Sequence, residues 1–183
     1  MTRITPIDPT AATGRAKDLL AAVKAKMGAV PNLTRVMAAS PAVLEGYLGL
    51  SGALGGGALP AQVKEQLALT VGEANGCEYC VSAHSFLGKK AGLSPEAVLD
   101  ARRGSAADAG PNALVRFART VLDRRGNVSD ADVQAVRDAG YGDAELAEVV
   151  AHVALNVFTN FLNNVARTPV DFPKAEPLDH HTA

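Results

Sequence analysis

Apolar residues recur at intervals of three and four along almost the whole chain, and nowhere do they alternate with polar ones in a run bounded by turn residues. That periodicity restricts the chain to packed helices. Hydrophobic residues make up 48% of it but aromatics only 4%, with no Trp, and alanine supplies much of the difference. Such a composition favours close-packed helices over pleated surfaces. The expected fold is all-α, as one compact unit of 183 residues.

Proline, glycine and capping residues set the expected boundaries. A first helix over 11–27 is ended by Gly28 and Pro31, and a second starts at Pro41 and breaks at "GALGGGALP". That glycine run has no strand before it and no G-K-[ST] after it, so it reads as a link between helices, not a phosphate cradle. Helices are then expected over 60–74, from 77 to 91, from a Ser94 cap to 103, over 111–125, from a Ser129 cap to 139, and over 144–167. The tail is expected to be extended, with His180 and His181 solvated. These segments group into an N-terminal helical part (1–58), a core hairpin (59–103), a C-terminal helical half (111–167) and the tail (168–183) of a single domain.

Lys+Arg number 18 against 19 Asp+Glu, so charge gives no reason to expect nucleic acid or an anionic membrane as partner. The opening residues, "MTRITPIDPT", lack the layout of a signal peptide, and no apolar run reads as long enough to span a bilayer. A cytoplasmic location is the expectation. There, thiols are kept reduced, and a lone cysteine pair points to catalysis or metal binding before a structural staple.

The chain's two cysteines lie in "NGCEYCVSAHS". Asn75-Gly76 predicts a turn, which starts a helix at Cys77 and places Cys80 one turn later on the same side, close enough to bridge. A helix N-terminus favours thiolate over thiol. His84 follows Cys80 by four residues, where an imidazole can take the Cys80 proton directly or through a water. Counting 1.5 Å per residue back and forth from Gly76, Glu65 and His84 fall at nearly the same level of an antiparallel hairpin, so the carboxylate can orient the ring. A Glu65, His84, Cys80, Cys77 relay is expected. Zinc is the rival, with Cys77, Cys80 and His84 as three ligands and Glu65, His152 or water as a fourth. Covalent haem attachment requires His directly after the second cysteine, where Val81 stands. Tyr79, between the cysteines, either donates a hydrogen bond to the site or packs. Glu73 reads as an exposed acid at a helix end. His152, Asn156, Asn160 and Asn163 on the last helix either line the same cavity or form a buried polar network between subunits.

Overlaid at an offset of 83 residues, Glu65 falls on Glu148, Cys77 on Asn160 and Cys80 on Asn163. This predicts a degenerate repeat of one active and one structural hairpin.

Taken together, E-x11-C-x2-C-x3-H, "VPNLTRVMAASPAVLEGYLGLSGAL" and "NVFTNFLNNVA...DFP" resemble the AhpD-like alkyl hydroperoxidases of the carboxymuconolactone decarboxylase superfamily, in particular their uncharacterised peroxidase-related branch. The resemblance implies an all-helical fold, a homo-oligomer (trimer or hexamer), and thiol peroxidase activity without haem, metal or other cofactor. It implies Cys80 as the cysteine that attacks a hydroperoxide, Cys77 as the resolving cysteine, Glu65 and His84 as the proton relay, and a dithiol reductant, thioredoxin-like or a dihydrolipoyl protein, as partner. The best-studied members have His in place of Tyr79. The helix N-terminus by itself favours Cys77 as the more acidic thiol, whereas the resemblance and the placing of His84 favour Cys80. Relatives that decarboxylate lactones lack the cysteine pair, so that reaction is not expected here. Two other readings of the same residues are a disulfide reductase and a non-catalytic, redox-sensing helical oligomer.

Overall fold

The computed structural model describes residues 1–178; His180 and His181 lie outside them. Among the described residues the chain is all-helical. Its elements are α1 (Gly14–Met27), α2 (Asn32–Met37), α3 (Pro41–Gly55), α4 (Ala61–Ala74), α5 (Glu78–Lys90), α6 (Pro95–Arg102), α7 (Ala109–Asp123), α8 (Asp130–Asp138) and α9 (Asp143–Ala166).

Helix α4 is the axis of the fold. Leu67, Leu69, Thr70 and Val71 occupy successive faces of it and all are fully buried, so α4 is enclosed by α5, α6, α7 and α9. One apolar cluster joins α4 to α7, α8 and α9 through Leu67, Leu114, Val115, Val136 and Val149. A second joins α1–α3 to the start of α5 through Leu20, Leu44, Cys77 and Tyr79. The cysteine pair thus belongs to a core.

Most boundaries fall where the punctuation puts them. Ser94 caps α6 by accepting from the Ala97 amide, and Ser129 and Asp132 form a capping box at α8. Two stretches differ. Residues 32–37 form α2, too short to register a period, and Asp171 of the tail accepts from the amide of its first residue, Asn32. Helix α7 starts at Ala109, inside the expected loop, with Pro111 in its first turn, where the missing N–H is not needed.

Two expectations are corrected. Glu148 through Asn163 lie on the single unbroken helix α9, whereas Glu65 through Cys80 span two helices, so the recurring frame is not a second hairpin. Phe158 and Thr159 stand where Asn75 and Gly76 turn the first copy, and neither provides a turn. Second, α9 is long and apolar enough to cross a bilayer by length and composition, with mean hydropathy 1.2. Its alanines and valines raise that value, yet it packs on α3, α4, α5 and α7 and buries His152, Asn156, Thr159, Asn160 and Asn163.

The glycine run between α3 and α4 links two helices, as expected, and it does cradle an anion. The carboxylate of Glu148 accepts from the amides of Ala58 (2.7 Å) and Leu59 (3.1 Å), which hold it below the usual carboxylate range. A Cβ at Gly57 would lie 2.5 Å from its oxygens.

Candidate functional site

The α4–α5 turn presents two sulfurs from one helix start. Gly76 takes φ +60°, which a side chain would resist, and Cys77 then caps α5 with its Sγ accepting from the Cys80 amide at 3.2 Å. Cys77 and Cys80, with Cα atoms 5.3 Å apart, are joined as a disulfide, and both are buried, at 1% and 3% exposure.

His84 lies one turn past Cys80, and across the hairpin its Nδ1 lies 2.8 Å from Glu65 Oε2. A carboxylate only accepts, so Nδ1 carries the proton and Nε2 is left for a second partner. Cys80, His84 and Glu65 all line one cavity of about 220 Å³. Most of its wall is apolar, formed by Leu33, Ala68, Ala83, Leu87, Leu155 and Phe172. Tyr79 is buried in this wall, accepting from the Leu33 amide at 3.2 Å and meeting Phe172 edge-on at 5.7 Å. Burial pushes its phenol far above the ordinary range, with the nearby Asp171 adding to the effect, so Tyr79 packs and stays neutral.

The asparagines of α9 divide between two tasks. His152, Asn156 and Thr159 line the cavity, whereas Asn160 and Asn163 do not. Asn160 accepts from Asn75 Nδ2 at 2.9 Å, and Asn164 Nδ2 donates to Asn75 O at 3.0 Å. Asn163 Nδ2 donates to Cys80 Sγ at 3.3 Å. The polar network is therefore within the chain and grips the cysteine turn. Residues aligned as counterparts in the offset comparison, Cys80 and Asn163, are in contact instead.

Cys77 faces elsewhere, onto a hollow lined by Glu73, Arg102 and residues 174–177 of the tail. Glu73 is not the exposed acid expected: its Oε2 lies 2.7 Å from Nε of Arg102, whose side chain is 5% exposed. Arg102 also donates to Glu176 O, and Ser82 Oγ accepts from the Ala175 amide, so the tail is bound across α5. Sequence reading missed Arg102; its only signal was a charged residue on the inner face of an otherwise amphipathic α6. Among the described residues no group of three or more His, Cys, Asp and Glu side chains is placed to hold a metal ion.

Residues 41–124 match the carboxymuconolactone decarboxylase family, a span that contains Glu65, both cysteines and His84. No curated protein matches the chain. Among solved structures, the AhpD-core, uncharacterised peroxidase-related protein of Ralstonia eutropha JMP134 superposes with a TM-score of 0.84 at 23% identity, over 93% of this chain and 92% of that one. A peroxidase-related protein of Silicibacter sp. TM1040 gives 0.77 at 19% identity, over 91% and 92%. The debrominase Bmp8 gives 0.78 at 19% identity, over 93% of each chain, and a variant of it has been solved with 2,3,4-tribromopyrrole bound. At these identities the likeness is one of fold.

Proposed function

We propose that this chain, which has the AhpD-like fold, is a member of the carboxymuconolactone decarboxylase superfamily and a thiol-dependent hydroperoxidase working through its Cys77–Cys80 pair. The observation that carries this reading is the sharing of one largely apolar cavity by Cys80, His84 and Glu65, with Cys77 in bonding contact behind Cys80.

In the proposed cycle, His84 takes the proton of Cys80 while Glu65 fixes the ring by its Nδ1–H and stabilises the imidazolium. The Cys80 thiolate attacks one oxygen of the hydroperoxide. An S–O bond forms, the O–O bond breaks, and the alkoxide leaves with a proton from His84 as an alcohol. Sulfur has lost two electrons and the peroxide has gained them, leaving Cys80 as a sulfenic acid. Cys77 then attacks that sulfur, water departs, and the disulfide closes. A dithiol reductant, thioredoxin-like or a dihydrolipoyl protein, returns the pair to thiols by exchange and becomes a disulfide itself.

A homo-oligomer fits the outer face of α9. Val150, Phe158, Phe161 and Val165 lie there exposed at 48%, 39%, 54% and 56%, and a row of large apolar side chains in water is the usual mark of an interaction surface.

The test is anaerobic reduction of the pair, addition of one equivalent of an organic hydroperoxide, and a count of free thiols before and after a dithiol reductant. Stoichiometric loss followed by recovery is expected. Thiols that survive the hydroperoxide but reduce a model disulfide would replace this reading with a disulfide reductase. A brominated pyrrole belongs on the same panel, because the debrominase shares the fold.

A further inference from the structure

The thiol peroxidase reading leaves one question of chemistry open, and α9 answers it. Both sulfurs have a donor. Cys77 Sγ accepts from the Cys80 amide at the positive end of α5, which taken alone would make Cys77 the more acidic thiol and hence the attacking one. Yet Cys77 does not line the cavity, and Cys80 does.

We propose that Asn163 is a catalytic residue whose side-chain amide holds Cys80 as the thiolate and so makes it, and not Cys77, the cysteine that meets the substrate. The proposal rests on the peroxidase reading of the cavity. Asn163 is 3% exposed, and its Nδ2 lies 3.3 Å from Cys80 Sγ. A sulfur in a disulfide or a thiolate has no proton to give, so the amide must present N–H to it. When the disulfide opens, the same N–H meets a full negative charge, and a neutral contact becomes a charge-assisted one in a site shielded from water.

Two further observations mark this amide as held for a purpose. Its Oδ1 is buried and has no partner among the described residues, which is costly unless the N–H side earns more elsewhere in the catalytic cycle. Its neighbours Asn160 and Asn164 bind the side-chain Nδ2 and the backbone carbonyl of Asn75 and so fix the register of α9 against the cysteine turn. The amide also approaches from behind. Asn163 is not part of the cavity wall, so the side of Cys80 that lines the cavity stays free for the peroxide oxygen. His84 moves the proton; Asn163 stabilises the charge that departure of the proton creates.

In the reaction step the Cys80 sulfur donates its electron pair to the peroxide oxygen, the O–O bond breaks and the alkoxide takes the proton held by His84. Asn163 exchanges no atom in this step and lowers the cost of the sulfur anion before it. The amide also favours the thiolate when Cys80 leaves the disulfide during reduction.

The experiment titrates Cys80 alone, as thiolate absorbance against pH in a Cys77→Ser background, with Asn163 present, changed to Asp, or changed to Leu. The Asp variant keeps the shape and replaces the donor with a repelling carboxylate, which guards against loss of fold in the Leu variant. We expect the Cys80 titration to move up by about one pH unit or more in either variant, and hydroperoxide-dependent oxidation at neutral pH to slow by about tenfold or more. Recovery of the oxidation rate at high pH would mark a charge effect and not a packing defect. An unmoved titration in both variants overturns the proposal, even if the parent protein consumes hydroperoxide. A titration that moves in a protein whose Cys80 no hydroperoxide oxidises would leave the Asn163 assignment standing and remove the peroxidase reading instead.

Discussion

Glu65 Oε2 and His84 Nδ1 meet at 2.8 Å across the α4–α5 hairpin, joining two helices at the level of the cavity that Cys80 shares. This contact fixes the tautomer and orientation of the ring. His84→Ala is expected to slow hydroperoxide-dependent thiol loss by about 10²–10⁴-fold, the range general acid–base catalysis provides, with Glu65→Gln slower by a smaller factor. Single-turnover kinetics measures both; rates equal to the parent in both variants would remove the relay.

The order of the two cysteines is read from what accumulates. Cys77→Ser is expected to stop at a sulfenic acid on Cys80, visible by mass spectrometry as one added oxygen, while Cys80→Ser consumes no hydroperoxide. The opposite pattern would exchange their roles.

His152 sets a pH dependence of stability. Burial, reinforced by Lys64, depresses its pKa below the ordinary 6.5, while Glu148 and Glu65 act in the other direction. The unfolded chain therefore takes up this proton first. Stability from the neutral ring is complete above about pH 6.5 and declines as pH falls below it through the folded value. His152→Gln is expected to flatten this part of the profile in urea unfolding run from pH 7.5 to pH 5.5, and an unchanged slope would count against it.

Arg102 is a buried charge held by two partners, Glu73 and the Glu176 carbonyl. Arg102→Met leaves Glu73, with a side chain 23% exposed, and the Glu176 carbonyl without their donor. We expect a loss of about 3 kcal/mol in urea unfolding, with a smaller loss when Glu73→Gln is combined with it. A double-variant loss equal to the sum of the Arg102→Met and Glu73→Gln losses would mean that the pair is not coupled.

The outer stripe of α9 makes a separable prediction. Phe161→Glu is expected to lower the mass seen by light scattering toward that of a single chain without loss of helical circular dichroism. An unchanged mass would take this face out of the assembly.

The hairpin was legible in the sequence because its determinants are local. Asn75-Gly76 fixes the turn, and the helical rise then fixes the level of Glu65 against His84. The contacts made by Asn163, Arg102 and the tail were not, because they depend on which helix packs beside α5, and periodicity gives a buried face without its partner. The frame Glu148, Asn160, Asn163 looked like a copy of the active one for a related reason. Both frames obey the same 3.6-residue spacing, and only the turn residues, present at 75–76 and missing at 158–159, tell a hairpin from a rod.

The grip of α9 on α4 makes the two helices matched rulers. Glu148 holds the amides of Ala58 and Leu59 just before α4, and Asn164 holds Asn75 just after it, so α9 clamps both ends of its parallel neighbour. Leu59 to Asn75 and Glu148 to Asn164 are 16 steps each, about 24 Å of helix. A residue inserted into either span would shift one jaw by about 1.5 Å and turn it by about 100°, releasing one end while the other held. A substitution within these spans leaves the register of the clamp intact, whereas a change of length cannot.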